Sequence, residues 1–279
     1  MLERREREAI VAYYREMDSS FAHWGSPTAY EMHYGYKESA SADHFESLAR
    51  MNAVVAEFAA VRPMDFVLDA GCGVGATALW LAAHRGAVVH GISLSPLQIA
   101  KARRTAAQRR LAERVHFSAQ DYTATAFEAA SFDVVWAMES LCHARRKEEF
   151  LRESRRLLRA GGRIAIADYF QPRESLEADD SDTLRAWADG WVMSRPPGVR
   201  RFRDLLAGAG FCDVRAHDLT DAIRFDADEM HRRGHEGLCQ DLMSATPRRL
   251  AHVQACIAQK IALDRGLWRY LVFTGVKSA

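Results

Sequence analysis

The chain has little that would tie it to a secreted, membrane-bound or nucleic-acid-handling class. Its 279 residues include only five cysteines. Cys72, Cys142, Cys212, Cys239 and Cys256 stand far apart, in no CxxC or Cys/His ligand spacing. Buried free thiols in a reducing compartment are expected, rather than a disulfide framework or a zinc site. No apolar run reaches membrane-spanning length, and the opening "MLERREREAI" lacks the apolar core of a signal peptide. These absences predict a soluble, cytoplasmic protein. The formal net charge is only +1, so no global field draws the chain toward nucleic acid or an anionic membrane. There is no internal repeat, low-complexity tract or Gly/Ser linker.

What is present is enough apolar material, 48% of residues against 27% charged, for one compact domain with a sizeable core, or one domain plus an appendage. Residues 2–17 are expected to form a helix with Ile10, Tyr13, Tyr14 and Met17 on one face. "HWGSPTAYEMHYGY" follows, rich in aromatics and turn formers, and is expected as a loop; residues 43–60 are helical again. From Asp65 onward, apolar β-type runs alternate with amphipathic helices: "FVLDA" before a helix over 76–85, "AVVHGIS" before one over 96–111, then "VHFSAQD", "FDVVWAM", a helix over 146–158 and "RIAIADYF". Strands apolar throughout are covered on both faces, which predicts an α/β fold with a parallel, doubly wound sheet. Gly161 and Gly162 are expected to stop the helix before "RIAIADYF". Residues 174–194 and 221–263 are helix-like, while "FCDVRAHDL" and "WRYLVFTGV" read as strands. The last two strands are thus separated by a helical insertion. The expected division is a helical, aromatic cap over 1–60 and a main domain over 61–279, with lid segments near 171–200 and 221–265.

The stretch "FVLDAGCGVGATALWLA" carries the first chemical signal. Asp69, Gly71, Gly73 and Gly75 alternate between a buried strand and a helix start. Glycines allow tight turns and close approach of a ligand to the main chain, and the helix start offers unpaired N–H groups. A phosphate loop would need Lys-Ser/Thr where the helix begins, and none stands there. A nicotinamide fold would place the third glycine three residues after the second; here the spacing is two. Asp69 sits poorly beside a pyrophosphate and suits a positively charged ligand end, such as an amino group.

With the pieces that follow in order, "VHGISLSPLQIAKA", "VHFSAQDY", "FDVVWAMES" and "RLLRAGGRIAIADY", this stretch resembles class I S-adenosylmethionine-dependent methyltransferases over residues 65–170. The resemblance implies a Rossmann-like, seven-stranded sheet whose last strand, "WRYLVFTGV", runs antiparallel. It implies S-adenosylmethionine as cofactor, with its methionine end held around Gly71, Cys72, Gly73 and Gly75. Many members carry an acid for the ribose at the end of the second strand; here Gly91-Ile92-Ser93 stands there. "GISLSPLQ" is similar instead to the subgroup of tocopherol and sterol C-methyltransferases and cyclopropane fatty acid synthases, which implies that Ser93 and Gln98 serve the ribose. It implies too that Asp121 accepts from the adenine amino group, with Gln120 or Tyr122 flanking the ring, and that Met138 belongs to the cofactor set.

Methyl transfer from a sulfonium is an in-line displacement, so the protein mainly positions the acceptor and excludes water. Alkene or electron-rich ring carbons become cationic when methylated, which calls for aromatic faces and a carboxylate. Ligands of open α/β sheets bind beyond the carboxyl ends of the strands, where "FDVVWAMESLCHA" delivers Glu139, Ser140 and His143. In prenyl diphosphate C-methyltransferases the matching glutamate is the base, and the resemblance implies that role for Glu139; His143 is a second candidate. "WGSPTAYEMHYGY" resembles the cap segment of the same subgroup. That implies Trp24, His33, Tyr34 and Tyr36 around cofactor and substrate, with Tyr36 among the catalytic candidates, and Tyr13 and Tyr14 beside them. Trp187, Trp191, Met193 and Phe202 are expected to line a cavity, and Arg232, Arg233, His235, Arg248 and Arg249 to face an anionic group such as a diphosphate. No metal site is expected.

The expected function is therefore C-methylation of a hydrophobic prenyl, terpenoid or aromatic small molecule. The alternatives are O- or N-methylation of such a compound, and a cofactor-binding scaffold without catalysis. Neutral charge and "MESL" where an "NPPY"-type motif would stand speak against a macromolecular acceptor. The charged N-terminal helix leaves room for a homo-oligomer.

Overall fold

The computed structural model describes residues 4–24, 31–39, 43–173, 175–241 and 245–278, the side chains of 22–24 and 238–241 excepted. Three helices precede the sheet. α1 (Arg4–Glu16) buries Ile10 and Tyr13, and α2 (Asp18–Trp24) follows after one residue, ending inside the segment whose composition predicts a loop. α3 (His44–Phe58) starts where the Asp43 carboxylate accepts the Glu46 N–H at 3.0 Å, an N-cap. It buries Leu48, Met51, Val54 and Val55 at helical spacing.

β1 (Phe66–Ala70), α4 (Ala76–Arg85), β2 (Val88–Ser93), α5 (Pro96–Gln108), β3 (Val115–Ala119), β4 (Phe132–Met138), α6 (Lys147–Leu157) and β5 (Leu158–Phe170) come next. α7 (Ala178–Gly190) and α8 (Val199–Gly208) precede β6 (Phe211–Asp218); α9 (Arg224–Asp241) and α10 (Pro247–Asp264) precede β7 (Arg269–Lys277). The strands stand in the order β3-β2-β1-β4-β5-β7-β6. β1 to β5 pair in parallel, and β7 runs antiparallel to both its neighbours. The doubly wound sheet, the antiparallel last strand and the helical insertion before it are as the sequence predicts.

Alternation along the strands sorts side chains into two cores. Val134, Trp136 and Met138 of β4 face the core shared with α3, α4, α7 and α10, while Val135 and Ala137 face the one built with α6 and α8. Phe202 belongs to the second core. It sits on α8 with its ring 4.9 Å from Phe170 and 5.1 Å from Phe273, and it does not line the large cavity described below.

The end of α6 also differs from expectation. Its cap is Leu158, which is already extended, and Gly161 and Gly162 lie within β5. The β4–β5 pairing slips between Phe132 and Val134, and Gly161, at φ 71°, takes up the irregularity in a conformation that suits a residue without Cβ.

The helices over the carboxyl edge are set closely. A Cβ on Gly190 of α7 would stand 2.3 Å from Ala251 O and 2.6 Å from Ala255 Cβ of α10. Gly190→Ala should therefore cost about 1–3 kcal/mol through overpacking. Gly208→Ala, where a Cβ meets nothing within 4 Å, should instead gain roughly 0.5–1 kcal/mol. Urea denaturation at unchanged m-value reads both, and an unshifted midpoint for Gly190→Ala would show that α7 and α10 do not touch there.

Candidate active site at the carboxyl edge of the sheet

The strands β1, β2 and β4 end at a cavity of about 330 Å³ that α1, α2, α9 and α10 help to enclose. After β1, the main-chain N–H groups of Gly71 and Cys72 both donate to Ile92 O at 2.9 Å, which folds the glycine loop back against β2. A Cβ on Gly71 would stand 2.3 Å from Ser140 Cβ, so the loop also packs against the end of β4. Gly73 meets the cap instead: its Cβ would stand 2.6 Å from Met32 Cε. Gly75 is the residue before α4 and packs on Phe117; it does not line the cavity.

Asp69 is buried at the mouth of this loop. Burial pushes its carboxyl up to about 7, against a bond from the Ala78 main chain that favours the ionised form, and its Oδ2 has no hydrogen-bond partner among the described residues. The Ser93 hydroxyl donates to Gln98 Oε1 at 2.7 Å and accepts the Ser95 N–H at 3.1 Å. That fixes the Gln98 amide group in the wall, with Nε2 toward Gly73. Asp121 Oδ1 accepts from the Thr123 N–H and hydroxyl at 2.9 and 2.7 Å, whereas its buried Oδ2 has no hydrogen-bond partner among the described residues. Tyr122 lines the cavity with its ring and donates its hydroxyl to Ser140 O. Met138 and Cys72 also line it.

Glu139 leaves β4 at φ 47°, a strained conformation for a residue with a side chain. Its Oε1 accepts the Tyr34 N–H at 2.8 Å and the Tyr270 hydroxyl at 2.9 Å, and its Oε2 accepts the Tyr169 hydroxyl at 2.6 Å. Desolvation outweighs these three donors and raises the carboxyl to about 8. Beyond it stands His143. A carbonyl can only accept, so the 2.9 Å contact of His143 Nδ1 with Val192 O puts the proton on Nδ1 and leaves Nε2 to accept the Tyr14 hydroxyl at 2.7 Å. Burial lowers this imidazole to about 4, so it is neutral.

A second tyrosine–histidine pair forms the facing wall. Tyr13 meets His252 Nδ1 of α10 at 2.8 Å, and His252 Nε2 lies 3.8 Å from Cys256 Sγ. Burial lowers His252 to about 4 as well. Neither His252 nor Cys256 was a candidate from sequence; their i, i+4 spacing on α10 was the available signal. Glu31 and Met32, which also line the cavity, were missed because nothing local distinguishes them from loop residues.

Several expected site residues lie elsewhere. Tyr36 donates its N–H to Ser47 O, and Arg50 lies over its half-buried ring at 5.9 Å, away from the cavity wall. Tyr34 stands behind Glu139, its hydroxyl on Gln259 Oε1 at 2.9 Å. Gln120 donates to Ser118 Oγ and accepts the Ala126 N–H, which turns it away from the cavity. Trp187 packs against Tyr169 and Trp268 in the core, whereas Trp191 and Met193 line the cavity, as do Tyr14 and His33. Trp24 ends α2, and its side chain is outside the described residues. Of the basic set, Arg233 and Arg249 reach the cavity. Arg232 pairs with Glu229 and Glu236, Arg248 pairs with Glu16, and His235 meets His231.

A family model described as a methyltransferase domain matches residues 68–166. The 27-O-demethylrifamycin SV methyltransferase of Amycolatopsis mediterranei (strain S699) is 36% identical over 203 residues, 72% of this chain and 72% of that protein. The chain belongs to the class I S-adenosylmethionine-dependent methyltransferases. A probable tocopherol O-methyltransferase, chloroplastic, of Oryza sativa subsp. japonica is 32% identical over 231 residues, 78% of this methyltransferase, which spans 63% of the rice protein's length. The cyclopropane synthase MmaA2 from Mycobacterium tuberculosis shares the fold, with a TM-score of 0.85 at 16% identity over 97% and 98% of the two chains.

The residues present fit the family's cofactor. Asp69 Oδ2 and Asp121 Oδ2 are buried acceptors suited to the two ends of S-adenosylmethionine that carry N–H donors, the ammonium and the adenine amino group. Among the described residues of this methyltransferase, no helix is long and apolar enough to cross a membrane, and no group of three or more His, Cys, Asp or Glu side chains is placed to hold a metal ion.

The raised carboxyls set a pH dependence. Asp69 at about 7 binds its proton more tightly folded than unfolded, where 3.8 applies. Its contribution to stability is whole below the unfolded value and is lost as pH rises through about 7; Glu139 acts with the same sign up to about 8. Asp69→Asn should raise the stability of the cofactor-free protein at about pH 8 by on the order of 4 kcal/mol, with the gain falling to roughly 1.5 kcal/mol at about pH 5 and little change at about pH 3. Chemical denaturation across that range checks it, and an equal shift at both ends would refute the linkage.

Proposed function

We propose that this methyltransferase methylates a hydrophobic small molecule at carbon, with Glu139 as the base. The observation that carries this reading is a carboxyl group at the end of β4, facing an aromatic chamber and raised to about 8. S-adenosylmethionine, when bound, supplies a methyl group already activated on a sulfonium. An alkene or electron-rich ring carbon that takes such a group turns cationic. The faces of Tyr13, Tyr14, Phe21, Tyr169 and Trp191 line the same space and can stabilise that charge. Glu139 then removes the proton that restores the double bond or ring, and a carboxyl titrating near neutral pH suits both gaining and losing it. Tyr169 and Tyr270 donate to its two oxygens and hold it in one orientation. The apolar lining excludes water from the reacting centre.

His143 favours a second reading. It is a neutral imidazole whose Nε2 accepts from Tyr14, and a phenol or alcohol of the substrate could take the tyrosine's place. The imidazole would then accept the proton in an O-methyl transfer. The names of the rice and Amycolatopsis relatives, both oxygen methyltransferases, support this alternative.

Methyl-labelled cofactor should be tested against prenyl diphosphates, quinols, phenols, sterols and alkaloids, with mass and NMR locating the added methyl. On the carbon reading, Glu139→Gln lowers kcat about 100- to 10,000-fold with binding of S-adenosylhomocysteine kept, while His143→Gln costs less than about tenfold. Methyl on oxygen, with the two variants exchanging their effects, would establish the second reading. An added methyl on none of the compounds together with no binding of the demethylated cofactor would end both.

A further inference from the structure

We propose that Glu31, in the cap, is a donor-binding residue: its carboxylate takes the α-ammonium group of S-adenosylmethionine from the side opposite Asp69. The proposal rests on the reading of the cavity as the cofactor site. Glu31 lines the cavity and is 7% exposed, yet its Oε2 has no hydrogen-bond partner among the described residues. Buried carboxylate oxygens are rarely left without a donor, and such an atom in a binding cavity points to a donor on the ligand.

Location selects which part of the ligand that is. Met32, the next residue, lies against the glycine loop, its Cε 2.6 Å from where a Cβ on Gly73 would stand. Met32 therefore rests on the loop that follows Asp69, and Glu31 is its neighbour in the chain. Asp69 Oδ2 is the other unpartnered carboxylate oxygen at this end of the cavity. One acid comes from the sheet and one from the cap, and both line the cavity. An ammonium has three N–H bonds to give and can serve both. A neutral donor could meet the hydrogen-bond need of one acid but brings no positive charge to offset the acids that line the cavity.

Nearby side chains are committed elsewhere or uncharged. Lys37 pairs with the fully buried Asp226 at 2.7 Å. Arg233 pairs with Glu229 at 2.7 Å. His33, beside Glu31, is lowered by burial and so is disfavoured as a cation. A cationic ligand group completes the charge balance that these residues leave open.

The same segment is anchored at its far end. Asp226 of α9 accepts the Gly35 N–H at 2.5 Å as well as the Lys37 ammonium. Glu31 thus stands on a stretch fixed to the helical lid, so an ammonium held between it and Asp69 ties the donor to cap, sheet and lid together. This gives the cap a part in selecting a donor that carries an intact amino-acid end.

The test is isothermal titration of the wild type, Glu31→Gln and Glu31→Asp with two ligands. S-adenosylhomocysteine keeps the amino-acid end; 5′-methylthioadenosine lacks it. Glu31→Gln should weaken S-adenosylhomocysteine about 10- to 100-fold and leave 5′-methylthioadenosine within about twofold, with Glu31→Asp in between. An unchanged S-adenosylhomocysteine affinity would overturn the proposal. So would an equal loss for both ligands, because Glu31 would then act through the fold of the cap. Failure of the wild type to bind either ligand would instead remove the cofactor reading on which the proposal stands.

Discussion

The Glu139 carboxylate is the point at which the parts of this fold are joined. It stands at the end of β4 and accepts hydrogen bonds from Tyr169 of β5, Tyr270 of β7 and the main chain of Tyr34 in the cap. A lone carboxylate in such an apolar place would be costly, and three donors offset part of that cost without cancelling it, which is why the group titrates near 8. The strained backbone at Glu139 has the same origin. A φ of 47° turns the side chain out of the sheet toward its three donors, and the surrounding packing holds it there. Cap, sheet and the antiparallel last strand thus converge on one titratable group in the cavity wall.

Around that group the chamber is built from paired polar contacts set in an aromatic wall. Consecutive tyrosines of α1 reach histidines on different elements, Tyr14 to His143 after β4 and Tyr13 to His252 on α10. Both imidazoles are kept neutral by burial, so each works as a hydrogen-bonding group and not as a fixed charge. The charged groups of the chamber are acids near the glycine loop and β4, with Arg233 and Arg249 on the helical side. That polarity suits a cationic donor at one end and an uncharged or partly anionic acceptor at the other.

Much of this was legible in the residue order because it depends on local chemistry. Apolar strands, the Asp69 glycine turn and the emergence of Glu139 and His143 after β4 follow from spacing alone. The failures share a cause. Tyr36 was expected near the chemistry because its segment resembles the cap of the subgroup, but main-chain pairing with Ser47 turned it toward Arg50. Trp187 and Trp191 are indistinguishable as members of one helical stripe, and only the crossing of α7 with α10 decides that one is core and the other lines the cavity. Gly161 has the composition of a helix stop and the position of a strand irregularity, because the β4–β5 register is set between strands rather than within one.

The sequence by itself determined the order of strands and helices along the chain, the glycine turn with its acid, and which polar side chains would follow the strand ends, since each of these rests on neighbours in the chain. Only the tertiary structure decided that Glu139 would be bound by tyrosines 30 and 131 residues away, that His252 would face Tyr13, and that Glu31 would be buried in the cavity wall. Those partners are brought together by the packing of separate elements, and the protonation state of a buried group depends on everything packed against it, which no local stretch of residues records.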